Sequence, residues 1–276
     1  MRSITVLSGN LMAGGIGRSR RETRFEHLMA AAAQQCADVV CFQECLYWHE
    51  DDNHLLHRAE DALGMRGLLC VTPTGMDVAV FVRMPLHVVA SRHITGGVWR
   101  HGAIRVVVAW PADGDLPCGQ MTIGSVHLSA RSPAQRILEV EQVTTWFDAD
   151  ELTAVLGDYN VPDAHTDLVG ADPRVLAALA LLGSTEPDVR PIQRMIDAGF
   201  LDLASRDGVR PEPTTGHWPG KDLVNRPDRM MVSPPLAKLI DTVETVHDVA
   251  DLTDHLWQRF CVHLDRQSKS DDESLT

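Results

Sequence analysis

Asp38-Val39-Val40-Cys41-Phe42-Gln43-Glu44 is the stretch on which the reading of the fold turns. Its middle is almost wholly apolar, the pattern of a strand buried on both faces. It ends in an amide and a carboxylate. Polar groups at the end of a buried strand are costly unless they are paired, hydrogen-bonded or metal-bound. The same arrangement recurs along the chain. A strand at residues 4–8 is followed by Asn10, and one beginning near Met121 ends at His127. The apolar run 152–156 is followed by Gly157, Asp158 and Asn160. Asp228 heads a strand at 229–232, and Asp254 and His255 precede a last strand at 259–264.

Helices are expected between some of these strands but not all. Residues 21–36 place Phe25, Leu28, Met29 and Ala32 on one face at helical spacing. A weaker helix covers 53–63. Residues 132–147 form a helix with Ser132 as its cap, Pro133 in its first turn, and Ile137, Val140 and Val143 in register. Shorter helices are expected at 173–182 and 191–198, within a loop-rich region from 163 to 227. Strand-like runs at 66–71, 78–82, 86–93, 104–110 and 121–127 largely follow one another without helices, so the sheet is not a simple alternating parallel one. Residues 236–246 read as a further strand. No linker divides the chain. Residues 1–265 are expected to form one α+β domain, with a polar, disordered tail at 266–276.

Bulk composition bounds the function. The 276 residues are 44% hydrophobic, enough for a sizeable core. Twenty-five basic and 38 acidic residues leave a net charge of −13, which argues against a general polyanion binder. No run approaches the roughly 20 apolar residues of a membrane span, and Met1-Arg2-Ser3-Ile4-Thr5 is not a secretory signal. No membrane insertion and a cytoplasmic location are expected. Cys36, Cys41, Cys45, Cys70, Cys118 and Cys261 are scattered, without Cys-x-x-Cys spacing, and read as buried reduced thiols. The abundance of Ala, Arg, Asp and Val hints at a GC-rich bacterial source.

The polar residues beside the strands are hard-oxygen donors and imidazoles. Glu44, Asp158 and Asn160 suit Mg²⁺ or Mn²⁺. Singly, each has a plainer explanation. Asp-x-Asn after a strand is usually a turn or cap, Asp254-His255 is as often a surface pair, and Glu44 would serve as a core-edge carboxylate with an Arg partner.

Taken in order, the segments resemble the endonuclease/exonuclease/phosphatase superfamily. Leu7-Ser8-Gly9-Asn10 resembles that family's first-strand Asn, and Val40-Cys41-Phe42-Gln43-Glu44 its signature strand. Val126-His127-Leu128 resembles the central His segment, and Leu156-Gly157-Asp158-Tyr159-Asn160 the Gly-Asp-x-Asn motif. Arg226-Pro227-Asp228-Arg229-Met230 and Thr253-Asp254-His255 resemble the two later segments. The resemblance implies a two-layer sandwich of mixed β-sheets flanked by helices, like deoxyribonuclease I, with the site at one edge. It implies a divalent-metal-dependent phosphoric ester hydrolase. Glu44 would be the main metal carboxylate, with Asn10 nearby and Asp254 joining the metal or base network. Asp158 would orient or deprotonate the attacking water, and Asn160 would hold the water or a phosphate oxygen. His127 and His255 would flank the phosphate, with Asp228 fixing the tautomer of His255. Whether Asp158 or the His255–Asp228 pair is the base, and whether one metal or two is bound, stays open.

The chain departs from the family pattern in three places. Met12 stands where some relatives carry an acidic residue, so a second-metal ligand is missing there. Only Asp77 offers itself as the upstream acidic partner of the central His. Leu256-Trp257-Gln258 follows His255 without the usual Pro.

Three readings of the substrate follow. Arg18, Arg20, Arg21 and Arg24, behind a glycine-rich stretch, would grip phosphates; the competing reading is a solvated helix start. Arg131 and Arg136 would add a second basic rim beside Ser129, while His217, Trp218 and Lys221 would stack on a base or gate a pocket. Together these favour a nuclease or DNA-repair endonuclease. The net charge and the 5% aromatic content favour instead a small-molecule, nucleotide or lipid ester. The third reading is a non-catalytic binding protein on the same scaffold.

Overall fold

The computed structural model describes residues 3–17, 22–169, 171–206, 208, 210–221 and 223–266. The deciding stretch is β2 (Val39–Gln43), buried along its whole length. It lies parallel to β1 (Ser3–Asn10), with Asn10 opposite Gln43. Parallel neighbours need a crossover. Here it is α1 (Thr23–Gln34), which buries Phe25, Leu28, Met29 and Ala32.

β3 (Arg66–Cys70), β4 (Val78–Val82), β11 (Ile240–Val246) and β12 (Trp257–His263) complete the first sheet, in the order β11-β12-β1-β2-β4-β3. The second sheet contains β5 (His87–Ile94), β6 (Gly102–Trp110), β7 (Gly119–His127), β8 (Thr153–Asp158), β9 (Leu201–Asp202) and β10 (Asp228–Val232). Its order is β5-β6-β7-β8-β10-β9. β7 and β8 are parallel and are joined by α3 (Pro133–Trp146). All other pairings are antiparallel, so both sheets are mixed.

Alternation of side chains across each strand places the core. Val39 and Cys41 point inward, meeting Ile104, Val106, Ile123 and Leu156 of the facing sheet. Val40 and Phe42 point outward, beneath α1 and α2 (His54–Leu63). On the far side, Val126 and Val155 pack under α3 and α5 (Arg190–Asp197). The result is helix, sheet, sheet, helix, the deoxyribonuclease I-like arrangement. It also explains why β2 reads as continuously apolar: both of its faces are covered.

Some details differ from the sequence reading. Residues 236–237, read as the start of a strand, belong instead to a short helix, α6 (Pro234–Ala237), after α4 (Pro173–Leu181) and α5, and the strand itself begins at Ile240. Ser233 caps the helix by accepting from Leu236 N, and proline in its first turn presets the backbone. The last strand begins at Trp257 rather than 259. The six cysteines are free, but only Cys41, Cys45 and Cys70 are buried; Cys36 and Cys118 are exposed. Arg266 closes a 3-10 turn, and the rest of the expected tail lies outside the described residues. Among the described residues, no helix is long and apolar enough to cross a membrane.

Candidate active site

Strand direction assembles the site. β1 and β2 run the same way, so their C-terminal ends, Asn10 and Gln43, come together, with Glu44 one residue beyond. In the other sheet, β7 and β8 bring His127 opposite Asp158. β10 runs antiparallel to β8, which sets its first residue, Asp228, across from Asp158. Asn10 bridges the two groups: its Nδ2 donates to Asp158 Oδ2 at 3.1 Å and to Glu44 Oε1 at 3.4 Å. Its Oδ1 accepts from Met12 N at 2.9 Å, while Glu44 Oε2 accepts from Ala13 N at 2.7 Å. The backbone is strained where these chains leave their strands. Glu44 has φ 56°, and Asn160, two residues past Asp158, has φ 50°. Such conformations persist only where surrounding contacts enforce them.

Asp158 is the hub. Its Oδ2 lies 3.7 Å from His127 Nε2 and 3.9 Å from His255 Nε2, and its Oδ1 accepts from Asn160 N at 2.8 Å. His255 Nδ1 donates to Asp228 Oδ2 at 2.8 Å, and Thr214 Oγ1 donates to the same oxygen at 2.5 Å. Asn160 Nδ2 donates to Leu128 O at 3.0 Å, aligning the chain just past His127. Behind His127, the His101 ring stacks at 4.3 Å and 13°, and Thr74 Oγ1 is 2.9 Å from His101 Nδ1. Asp254 is ion-paired with Lys221 through Oδ2, while its buried Oδ1 has no hydrogen-bond partner among the described residues.

The charges sort by environment. Burial alone would push the His255 imidazole down, but Asp228, Asp158 and Asp254 together raise it to about 10. Burial lowers His127, and the nearby His255 adds to this against the pull of Asp158. Burial, with the neighbouring His127 and Arg100, pushes His101 down to about 2. Burial raises Asp158, despite the opposing influence of His255. Burial would also raise Asp254, but His255 and Lys221 outweigh it and hold it below the usual carboxylate range. At neutral pH, His255 is therefore a cation and His127 neutral, on either side of one carboxylate. Titratable groups whose environments drive them apart mark an acid–base site.

The oxygen-rich donor set fits a hard divalent cation. Ligand atoms of Asp158, Asp228 and His255 lie within 4.8 Å of one another. However, Asp228 Oδ2 already serves His255 and Thr214, and His255 Nδ1 is engaged by it. Glu44, half-buried at the end of β2, is the more open carboxylate.

The Endonuclease/Exonuclease/phosphatase family model matches residues 9–255, from just before Asn10 to His255. The chain belongs to this family. No curated protein matches the sequence. Among solved structures, the endonuclease/exonuclease/phosphatase from Bacteroides vulgatus is 13% identical, with a TM-score of 0.67 over 95% of this chain and 99% of that one. The Xenopus laevis APE2 catalytic domain is 14% identical, with a TM-score of 0.67 over 94% and 92%. An AP endonuclease from Leishmania major is 12% identical, with a TM-score of 0.63 over 95% and 88%. At these identities the likeness speaks to the fold.

Of the positions singled out from the family motifs, Asn10, Glu44, His127, Asp158, Asp228 and His255 lie in one connected cluster, with Asn160 and Asp254 at its edge. Arg131 is exposed, near enough to bear on His101. Trp218 is half-buried; its carbonyl accepts from Lys221 N, and it takes no part in the cluster's hydrogen bonds. Arg18, Arg20 and Arg21 lie outside the described residues. Arg24 is not free to grip phosphate: it donates to the carbonyls of Leu11, Met12 and Leu252, tying the β1 loop to the segment before Asp254. Arg136 is not on a rim, being only 2% exposed. Asp77 pairs with His49 at 2.5 Å and with Thr72, and His127 Nδ1 has no partner among the described residues. The sequence reading missed His101 and Thr214. The β6–β7 register, with Gly102 opposite His127, was the only signal for the first. Thr214 sits in an irregular loop and gave none.

Proposed function

We propose that this chain is a divalent-metal-dependent phosphodiesterase, formed as one domain over residues 1–265, whose centre is the cluster around Asp158. The observation that carries this reading is the pair of oppositely protonated imidazoles beside one buried carboxylate, linked through Asn10 to Glu44. Phosphodiester hydrolysis needs donors for the phosphate oxygens, a base for water and charge neutralisation. His255, held as a cation by Asp228, donates from Nε2 to a non-bridging phosphate oxygen. Asp158 takes the proton of the attacking water; its raised proton affinity makes it the stronger base, and the protonated His255 is not available for that step. Asn160 Oδ1 positions the water or a phosphate oxygen, its Nδ2 being anchored on Leu128 O. His127, neutral, stands on the other side of Asp158 and supplies a second imidazole contact to the ester. Glu44, Asn10 Oδ1 and Asp254 Oδ1, which has no partner among the described residues, would hold Mg²⁺ or Mn²⁺. When bound, the cation neutralises charge on the phosphate and on the leaving oxygen.

The leading reading of the substrate is a nucleic acid, by likeness to neighbours named as AP endonucleases. A small phosphate ester is the second reading, favoured by a cavity of about 790 Å³ that opens beside Asn160, Asp254 and His255. The test is cleavage of plasmid DNA, an abasic-site duplex and bis-p-nitrophenyl phosphate in Mg²⁺, Mn²⁺ and EDTA, with Asp158→Asn as the blank. Cutting of either DNA that EDTA and the substitution both abolish would support the nuclease. Turnover of the small diester alone moves the reading to a small ester. EDTA-resistant turnover, or turnover retained by Asp158→Asn, would overturn the proposed centre.

A further inference from the structure

The cavity beside His255 combines an apolar wall with a buried cation. Leu168, Val175, Leu179 and Leu223 supply apolar surface. Arg136, on α3, faces the same space and is only 2% exposed. Its guanidinium makes one hydrogen bond among the described residues, from Nη1 to Ser129 O at 2.9 Å, and its buried Nε has no partner. A guanidinium carries five N–H donors, so most of this one's capacity is unused.

Its nearest counter-charges are committed elsewhere. Asp188 takes Arg190 Nε at 2.6 Å and Nη2 at 3.0 Å. Glu139 accepts the backbone N–H groups of Arg100 at 2.9 Å and Ser129 at 2.8 Å. A buried arginine with unfilled donors is costly to the protein alone, and planar anions fill such a fork well. Arg136 is also close enough to the catalytic cluster to respond to the charge of Asp158. An anion bound by it would therefore sit within one substrate's length of the scissile phosphate. At about 790 Å³ the cavity is within the usual range for small-molecule sites and far larger than one phosphate needs.

We propose that this cavity is a specificity pocket for the retained arm of a small phosphate ester, an apolar body bearing a second anionic group, carboxylate or phosphate, that Arg136 binds. This rests on the phosphodiesterase reading above, in its second, small-ester form, and adds to it the class of substrate. It gives the acidic chain a route to an anionic substrate that needs no basic surface.

Three diesters sharing p-nitrophenolate as leaving group test it: methyl, phenyl and 4-carboxyphenyl p-nitrophenyl phosphate. The shared leaving group keeps the chemical step comparable. The wild type should prefer the 4-carboxyphenyl over the phenyl ester by about tenfold or more in kcat/KM, the size of one charge-assisted contact. Arg136→Gln should abolish that preference, and Arg136→Lys should keep part of it. Val175→Trp removes no side-chain hydrogen bond and narrows the cavity. It should cost both aryl esters more than the methyl ester, which keeps the proposal open to test if Arg136→Gln does not fold. A wild-type ratio near one, a preference that survives Arg136→Gln, or an equal effect of Val175→Trp on all three esters would overturn it. Calorimetric binding of the phenyl and 4-carboxyphenyl esters in EDTA separates the two readings. Preferential binding of the carboxylated ester without turnover would leave the pocket standing and sink the phosphodiesterase; equal binding would sink the pocket.

Discussion

In β1–α1–β2 the parallel strands end on Asn10 and Gln43; in β7–α3–β8 they end on His127 and Asp158. Each half has a glycine immediately before the polar residue, Gly9 in one and Gly157 in the other. Each passes into a residue of positive φ, Glu44 in the first and Asn160 in the second. The local plan is the same, but the chemistry differs. The first half presents amides and a half-buried carboxylate, all oxygen donors for a cation. The second half presents the His127 imidazole and the Asp158 carboxylate, both buried, completed by Asp228 and His255; burial holds His127 down, while neighbouring carboxylates hold His255 up. On the proposed reading, one strand-end device would hold a cation on one sheet and handle protons on the other, the two being joined by Asn10 Nδ2.

This division is open to attack by substitution. The largest effects are expected in the second half. His255→Ala and Asp158→Asn should each lower kcat on bis-p-nitrophenyl phosphate by about 10³-fold or more, with far-UV circular dichroism unchanged. A loss below tenfold in either would dissolve the proton-handling half.

Next comes the asymmetry between the glycines. A Cβ at Gly157 would lie 2.1 Å from Val126 O, and φ there is 137°. At Gly9 the clash is with the Trp257 ring at 2.3 Å, without a positive φ. Gly157→Ala should cost about 3 kcal/mol or more in urea unfolding, and Gly9→Ala about 1–3 kcal/mol, because a ring yields more easily than backbone. The reverse order would mean that the first half is the stiffer.

A smaller effect belongs to pH. Glu139, on the helix that crosses the second half, holds Arg100 N and Ser129 N, and its carboxyl is pushed up to about 7, mainly by burial. Its unfolded value is about 4.3. Between those two values the folded state binds more protons than the unfolded one. Stability from this group is thus fully present below about pH 4.3 and is lost as pH rises through about 7. Relative to Glu139→Gln, the wild type should lose on the order of 2 kcal/mol between pH 5 and pH 8 in urea unfolding. Parallel pH profiles for the two proteins would show that Glu139 is ionised throughout.

Much of this was legible in the chain. Continuous apolarity at 39–42 signalled a strand covered on both sides, and polar residues at six strand ends signalled a shared edge, because parallel crossovers return strands in the same direction. What stayed hidden depended on register or on irregular loops. His101 matters because Gly102 pairs with His127, and no spacing encodes that. Arg136 reads as part of a basic rim beside Ser129, yet it is buried, with Asp188 near enough to bear on its charge. Arg24 reads as a phosphate ligand, yet carbonyls from both ends of the chain claim its donors. Backbone acceptors are invisible to a motif.

The most direct measurement is a Mn²⁺ titration of bis-p-nitrophenyl phosphate turnover by the wild type, Glu44→Gln and His255→Gln. If the halves divide the work as described, Glu44→Gln should need about tenfold or more Mn²⁺ for half-maximal rate and recover much of its activity at saturation, while His255→Gln should stay inactive at every concentration. Rescue of His255→Gln by Mn²⁺, with Glu44→Gln unchanged in its metal requirement, would place the cation in the second half and contradict the division.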